Sequence, residues 1–271
     1  MNEVSEVTEV SEATEVSEAN EVKERRNRKE AIENGIGGKL MRNIAIVFKK
    51  QLKDTIKNKT ILIQFIMFPL LTVVMEKAIS LPDMPAEHFF SKLFMIMYIG
   101  MAPIMSVAAI ISEEKEKNTL RPLIASNVKS GEYLIGVGSY VWLICMAGAA
   151  VMGLAAGFAA RDMVFYMVTA AIGFVISILA GSAIGIYSEN QMKATSLVLP
   201  VMLVFSFLPM LSMFNDKIAK VARFTYTQQL NSALLNMNLS SLKTADFVII
   251  AVNAVLFLSL FCLAFGKKRL E

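Results

Sequence analysis

Six long apolar runs constrain this 271-residue chain more than any other feature. They occupy residues 60–79, 93–112, 133–158, 163–187, 197–214 and 247–265. Each is close to the roughly 20 residues with which a helix crosses a bilayer, where a helix satisfies its backbone hydrogen bonds within one segment. Hydrophobic residues make up 55% of the chain, more than is usual in soluble domains. The runs predict an all-α polytopic membrane protein with six transmembrane helices.

Two different segments precede the first apolar run. Residues 2–22 repeat a triplet with Glu at every third position, and the basic stretch KERRNRK follows. A period of three builds no apolar face, so residues 1–40 are predicted to be a disordered acidic and then basic tail, ahead of a membrane domain at 41–271. Within 41–59, apolar residues alternate with lysines at helical spacing: Ile44, Val47, Phe48, Leu52 and Ile56 against Lys49, Lys50, Lys53 and Lys57. This pattern predicts an amphipathic elbow helix in the headgroup layer.

The distribution of Lys and Arg predicts the orientation. Fourteen of these residues flank one side of the predicted spans and seven flank the other, and the richer side includes both termini. Basic flanks stay on the cytoplasmic side. The bias predicts a multi-pass protein of the cell membrane with cytoplasmic termini, so that the segment 113–132 between the second and third spans faces the cytoplasm.

The cytoplasmic segment 113–132 is charged and compact. Residues 113–117 are expected to continue the second span, and Asn118 is suited to a left-handed turn that ends it. Thr119 can cap a second short helix with Pro122 in its first turn, on which Leu120, Leu123 and Ile124 would form an apolar ridge. The pattern predicts a rigid knob held at both ends by membrane helices.

This segment, EKEKNTLRPLIASNVKSGEYLIG, resembles the cytoplasmic loop of ABC transporter permeases of the type-2 exporter (ABC-2) class. The residues that match the family pattern are Glu114, Lys115, Glu116, Thr119, Leu120, Leu123, Glu132, Leu134 and Gly136. Asn118 stands where the family usually has Gly, and Asn127 where it usually has Pro. The elbow, the six spans and an outer segment at 214–235 extend the resemblance over residues 41–271, although the usual Pro before the aromatic of the outer segment is replaced near Thr225 and Tyr226.

The resemblance implies a permease subunit that moves a peptide, drug, lipid or glycan with ATP hydrolysed by a separate ATP-binding subunit. Glu114, Glu116, Thr119, Leu120, Leu123 and Glu132 would couple to that subunit, which would carry the ATP and Mg²⁺. A second permease chain, identical or different, would complete the transporter. Candidates to line a substrate path at the interface of the two chains are Gln64, Thr72, Ser206 and Ser212. The alternative for each is a side chain bonded back to its own helix.

Other classes of function fit the sequence less well. Ion-driven carriers keep ionisable residues at membrane depth, whereas Glu76, Lys77 and Glu189 lie at the ends of spans. A membrane metalloprotease needs several histidine ligands, and His88, the one histidine, is expected to be a solvated loop residue. A net charge of +4 does not indicate nucleic-acid binding. No catalytic or metal site is predicted on this chain, and the open alternative is a scaffold or sensor that recruits a cytoplasmic protein through residues 113–132.

Overall fold

The computed structural model describes residues 37–38, 40–78, 87–119, 129–237 and 243–267. These residues form nine α-helices and no strand. Helix α1 includes residues 37–38 and 40–57. The others are α2 (Lys59–Ala78), α3 (Phe89–Glu116), α4 (Ser130–Ala156), α5 (Ala160–Tyr187), α6 (Gln191–Ser212), α7 (Asp216–Ala222), α8 (Tyr226–Asn236) and α9 (Thr244–Lys267). The predicted triplet-repeat tail and the predicted ridge residues Leu120 and Leu123 lie outside the described residues.

Six of these helices are long and apolar enough to cross a membrane: α2, α3, α4, α5, α6 and α9. Each coincides with one predicted span, so the predicted polytopic all-α fold is confirmed. The helices extend beyond the apolar runs at several ends. Helix α6 begins six residues early, at Gln191, because the side chain of Asn190 accepts a hydrogen bond from the backbone N–H of Lys193 and caps the first turn.

Helix α3 forms the centre of the bundle. In the most apolar 18-residue stretch of α3, 78% of the residues are buried inside the bundle. The corresponding share for α9, at the periphery, is 11%. Two glycines permit the close packing around α3. A Cβ atom on Gly100 of α3 would lie 2.5 Å from the carbonyl carbon of Phe205 in α6, and one on Gly181 of α5 would lie 2.6 Å from the carbonyl oxygen of Ile104. Small residues therefore bring α3 into backbone contact with two neighbours.

Helix α1 buries a different face from the one its hydrophobic residues predict. The buried side chains are Asn43, Val47, Gln51 and Thr55, which follow one another at four-residue steps. Leu52 and Ile56, which were expected to share the apolar face with Val47, are 41% and 65% exposed. The buried row is mostly polar because it faces two carboxylates, as described below. Leu52 and Ile56 remain on its outer surface, whereas Val47 belongs to the core and Phe48 packs against Tyr140 of α4.

The far end of the bundle is closed by α7 and α8, within the outer segment expected at 214–235. Thr225 lies in the region where the expected Pro is missing, and its hydroxyl caps α8 by accepting from the backbone N–H of Gln228. The hydroxyl of the buried Tyr226 is 2.7 Å from that of Ser177 in α5. Helix α8 is thus anchored inside the bundle, in contact with α3, α5, α6 and α9.

His88 lies at the same end as α7 and α8. It precedes α3 in the left-handed conformation, with φ of 54°. Its Nδ1 atom is 3.2 Å from Oε1 of Glu76, and its ring packs at 4.8 Å against that of Phe158. His88 lies outside the helices, as expected, but its side chain is 28% exposed and packs between Glu76 of α2 and Phe158 in the connection from α4 to α5.

Candidate functional site

The last turn of α3 carries four charged residues, 113–116, beyond the apolar part of the helix. The turn ends as the sequence predicts: Asn118 adopts a φ of 53°, and the backbone N–H of Thr119 donates to the carbonyl oxygen of Glu114 at 3.0 Å. The hydroxyl of Thr119 donates to the same oxygen at 3.3 Å. The left-handed residue and this hydrogen bond fix the direction in which the chain leaves α3.

Glu114 connects α3 to the elbow helix. Its side chain is buried, with 7% of the residue exposed. The Oε1 atom accepts hydrogen bonds from the ammonium of Lys50 and the amide of Gln51, both in α1. The Oε2 atom has no hydrogen-bond partner among the described residues. A buried carboxylate is stable only when donors compensate for its lost hydration, so α1 is required at this position.

Glu113 connects the same turn to the junction of α1 and α2. Its Oε2 atom accepts from the side-chain amide of Asn58 at 3.1 Å, and its Oε1 atom accepts from the ammonium of Lys117 at 2.5 Å. The hydrogen bond and the charge of Glu113 raise the pKa of Lys117 above its ordinary value. Asn58 also accepts from the backbone N–H of Ile61, so it caps α2 while it contacts α3.

Lys115 and Glu116 connect the turn to the facing ends of α5 and α6. The ammonium of Lys115 donates to the carbonyl oxygens of Ile186 and Ser188, each at 2.6 Å, at the C-terminus of α5. The Oε2 atom of Glu116 accepts from the backbone N–H of Gln191 at 2.8 Å, at the N-terminus of α6. Each charge has the sign that favours its helix end.

Glu132 gives α1 a second acidic contact. Its Oε2 atom accepts from the side-chain amide of Asn43 at 2.7 Å and from the backbone N–H of Lys129 at 3.0 Å. The first bond joins α4 to α1, and the second closes the first turn of α4. The two ends of segment 117–129 are thus both held against α1, through Glu114 and Glu132. A cavity of about 620 Å³ lies beside these contacts, between α1, α2 and the end of α3.

The structure brings together four of the six predicted coupling residues at one end of the bundle: Glu114, Glu116, Thr119 and Glu132. Leu120 and Leu123 lie outside the described residues. The sequence did not identify the partners of these carboxylates, namely Asn43, Lys50, Gln51 and Asn58. Asn43, Gln51 and Asn58 follow one another at steps of eight and seven residues, each about two helical turns, so the spacing places them on one side of α1 and its junction with α2.

The candidate substrate-path residues are distributed over the bundle. Gln64 accepts from the hydroxyl of Ser106 at 3.1 Å, and Ser206 donates to the carbonyl oxygen of Met97 at 3.2 Å, so both join their helices to α3. Thr72 donates to the carbonyl oxygen of Phe68 within its own helix. The hydroxyl of Ser212 donates to the carbonyl oxygen of Pro209 and lies 2.9 Å from Oε1 of Gln228 in α8. Gln64 lines a small cavity of about 50 Å³ between α2, α3 and α6.

In residues 40–78, 87–119, 129–237 and 243–267, no three His, Cys, Asp or Glu side chains lie close enough together to hold a metal ion. The charged last turn of α3, residues 113–116, forms a junction that is bonded to α1, to the start of α2, and to the facing ends of α5 and α6. The chain matches the family model described as ABC-2 family transporter protein over residues 3–266. A search of curated proteins finds no match.

Proposed function

The chain belongs to the ABC-2 family of transporter proteins, and from that premise we propose that it is the permease subunit of an ABC exporter driven by a separate ATP-binding subunit. The single observation that carries the proposal is the junction at residues 113–116. A force applied to the segment after Glu116 would reach α1, α2, α5 and α6 through different side chains. Such a junction converts a local push into a movement of the whole bundle.

The ATP-binding subunit would dock on segment 113–132, with the apolar side chains of Leu120 and Leu123 as its main contact. That subunit would bind the ATP and Mg²⁺ and perform the hydrolysis. The ion pair of Lys50 with Glu114 and the hydrogen bond of Asn43 with Glu132 support this assignment, since they hold both ends of the segment against one helix. Closure of the partner on ATP would then displace α1 together with the end of α3.

The orientation and the assembly are parts of the same proposal. The junction, α1 and both termini would face the cytoplasm, in accord with the bias of Lys and Arg. A second permease chain, identical or different, would complete the transporter in the cell membrane. The substrate, whether a peptide, drug, lipid or glycan, would cross between the two chains, along the helices that carry Gln64, Thr72, Ser206 and Ser212.

Purification of the chain from its native membrane tests the proposal. We expect an ATP-binding subunit in near-equal amount, lost when Leu120 and Leu123 are both changed to Asp. Val221→Asp is the matched control, because Val221 is 61% exposed in α7 at the opposite end of the bundle. Recovery of a different cytoplasmic protein through the same two leucines would favour the scaffold or sensor instead.

Chemical labelling tests the orientation. A Thr119→Cys variant, with Cys145 and Cys262 changed to Ala, would react with a membrane-impermeant maleimide only after the cells are opened. Cysteine at Val221 would react in intact cells. The reverse pattern would refute the proposed orientation and, with it, docking on a cytoplasmic ATPase.

A further inference from the structure

A long apolar groove lies on the outer surface of the bundle, between α1, α2 and α4. Its volume is about 450 Å³. Leu52 and Ile56 of α1 line one end, and the walls include Ile66 and Leu70 of α2 and Ile144 of α4. Among the described residues that line it, the polar side chains are those of Thr55 and Tyr140 alone. An open groove with this lining needs an apolar occupant.

The length of the groove along α2 and α4 is close to the thickness of the hydrocarbon in one membrane leaflet. On α2 its lining residues run from Leu62 to Val73, and on α4 from Tyr140 to Val151. Each stretch advances eleven residues, which is about 16 Å along a helix. Half of a hydrocarbon core of about 30 Å is about 15 Å. The groove therefore begins at α1 and follows α2 and α4 for about the length of one lipid acyl chain.

Two lysines stand at the mouth of the groove. Lys49 and Lys53 are one helical turn apart on α1, and each lies one turn before an apolar residue of the groove, Leu52 and Ile56 respectively. Both lysines are exposed. In the part of the chain that the structure describes, neither ammonium is within ion-pair distance of a carboxylate, in contrast to Lys50, which binds Glu114. Two exposed lysines without an ion-pair partner among the described residues thus adjoin the end of the groove that α1 lines.

We propose that this groove binds an anionic phospholipid from the leaflet that faces α1. One acyl chain would lie between α2 and α4, covered at its upper end by Leu52 and Ile56. The phosphate and the remaining anionic headgroup would bind Lys49 and Lys53. Basic residues at the membrane surface attract anionic headgroups, and here they adjoin a channel of acyl-chain length. The inference concerns the lipid-facing surface and is independent of the partner ATPase and of the direction of transport.

Fluorescence quenching by brominated lipids tests the proposal on the full chain in vesicles. The single tryptophan is removed by Trp142→Phe, and a reporter is placed in the groove by Leu70→Trp. A second protein carries the reporter at Val255 of α9, which is 62% exposed and lies outside the groove. Brominated phosphatidylglycerol and brominated phosphatidylcholine are compared. We expect phosphatidylglycerol to bind preferentially at position 70, and we expect the two lipids to bind equally at position 255.

Charge and groove variants separate the two parts of the site. Lys49→Gln with Lys53→Gln is expected to lower the preference for phosphatidylglycerol at position 70 by about 25-fold, because each surface lysine changes anionic-lipid binding by about fivefold. Lys217→Gln with Lys220→Gln, exposed charges in α7, is the matched control and should leave the preference unchanged. Ala147→Phe fills the groove from an exposed position and should reduce quenching by both lipids at position 70.

Three results would overturn the proposal. Equal affinity for the two lipids at position 70 would remove the headgroup site. An unchanged preference in the Lys49 and Lys53 double variant would show that these lysines do not bind the headgroup. Protection of position 70 from both lipids, with normal quenching at position 255, would show that protein covers the groove, as in an interface with a second chain. Unchanged quenching at position 255 in the Ala147→Phe variant confirms that it remains folded in the bilayer.

Discussion

The contact between Lys50 and Glu114 offers the sharpest test of the connection between α1 and α3. Lys50→Met leaves the buried carboxylate with Gln51 as its remaining donor among the described residues. Loss of one partner from a buried ion pair costs about 3–5 kcal/mol. Since the side chain of Lys50 is 29% exposed, water already screens part of this interaction, and we expect a loss of about 2–3 kcal/mol in the free energy of unfolding.

The partner variant, Glu114→Gln, keeps the shape of the side chain and an acceptor for Gln51 but removes the charge. We expect it to cost about 1–2 kcal/mol. The double variant no longer buries an unpaired charge, so its loss should be smaller than the sum of the two single losses by about 1–2 kcal/mol. The exposed pair of Lys193 with Glu189, with side chains 39% and 66% exposed, is the matched control. Its coupling energy should stay near 0.5 kcal/mol or below, by the general weakness of exposed pairs.

Equilibrium unfolding of the purified chain in mixed micelles, with increasing fractions of a denaturing detergent, measures these free energies. All single and double variants are compared under one salt concentration, because salt screens the exposed pair more strongly than the buried one. A coupling energy for Lys50 and Glu114 no larger than that of the control pair would refute the argument. In that case the junction would not transmit force to α1 through this contact.

Three further variants test other parts of the fold. Gly100→Ala places a methyl group against the backbone of α6 and should lower the free energy of unfolding by about 1–3 kcal/mol. Gly138→Ala is the control, because the nearest atom to its new methyl group is a side-chain carbon at 3.4 Å, and its loss should be much smaller. Thermal melting in micelles compares the two variants. Thr225→Ala removes the cap of α8 and should cost about 1 kcal/mol, with Thr225→Ser restoring the melting temperature. Lys115→Met removes two charged hydrogen bonds and should speed proteolysis at the connection from α5 to α6, and an unchanged cleavage rate would contradict its role there.

The membrane-spanning fold was predictable from the sequence because hydrocarbon imposes a simple rule. Each run of about 20 apolar residues must be a helix, since no water is present to satisfy an open backbone. The end of α3 was predictable for a local reason, because Asn118 tolerates the left-handed turn at which the helix stops. In both cases the decisive information lies within a short stretch of chain.

The partners of the carboxylates were not predictable, because they depend on which face of α1 is buried. Sorting α1 by hydrophobicity assigns Asn43, Gln51 and Thr55 to the exposed side, whereas the structure buries all three. The burial of Gln51 and Asn43 is favourable because they bind Glu114 and Glu132, which lie 63 and 89 positions away in sequence. Local periodicity contains no information on contacts at that separation. The same limit explains His88, whose environment is set by Glu76 and Phe158.

Helix α1 therefore has two different surfaces, one that contacts the end of α3 and one that lies beside the groove. Successive residues on a helix point about 100° apart, so Lys50 reaches inward to Glu114 while Lys49 remains on the surface beside the groove. A lipid bound at Lys49 and Lys53 would contact the same helical turn that binds Glu114 at the end of α3. Because both contacts are made by one helix, the position of this turn relative to α3 would depend on both of them. The composition of the bilayer would then influence how firmly the junction at residues 113–116 is held, without any change in that junction itself.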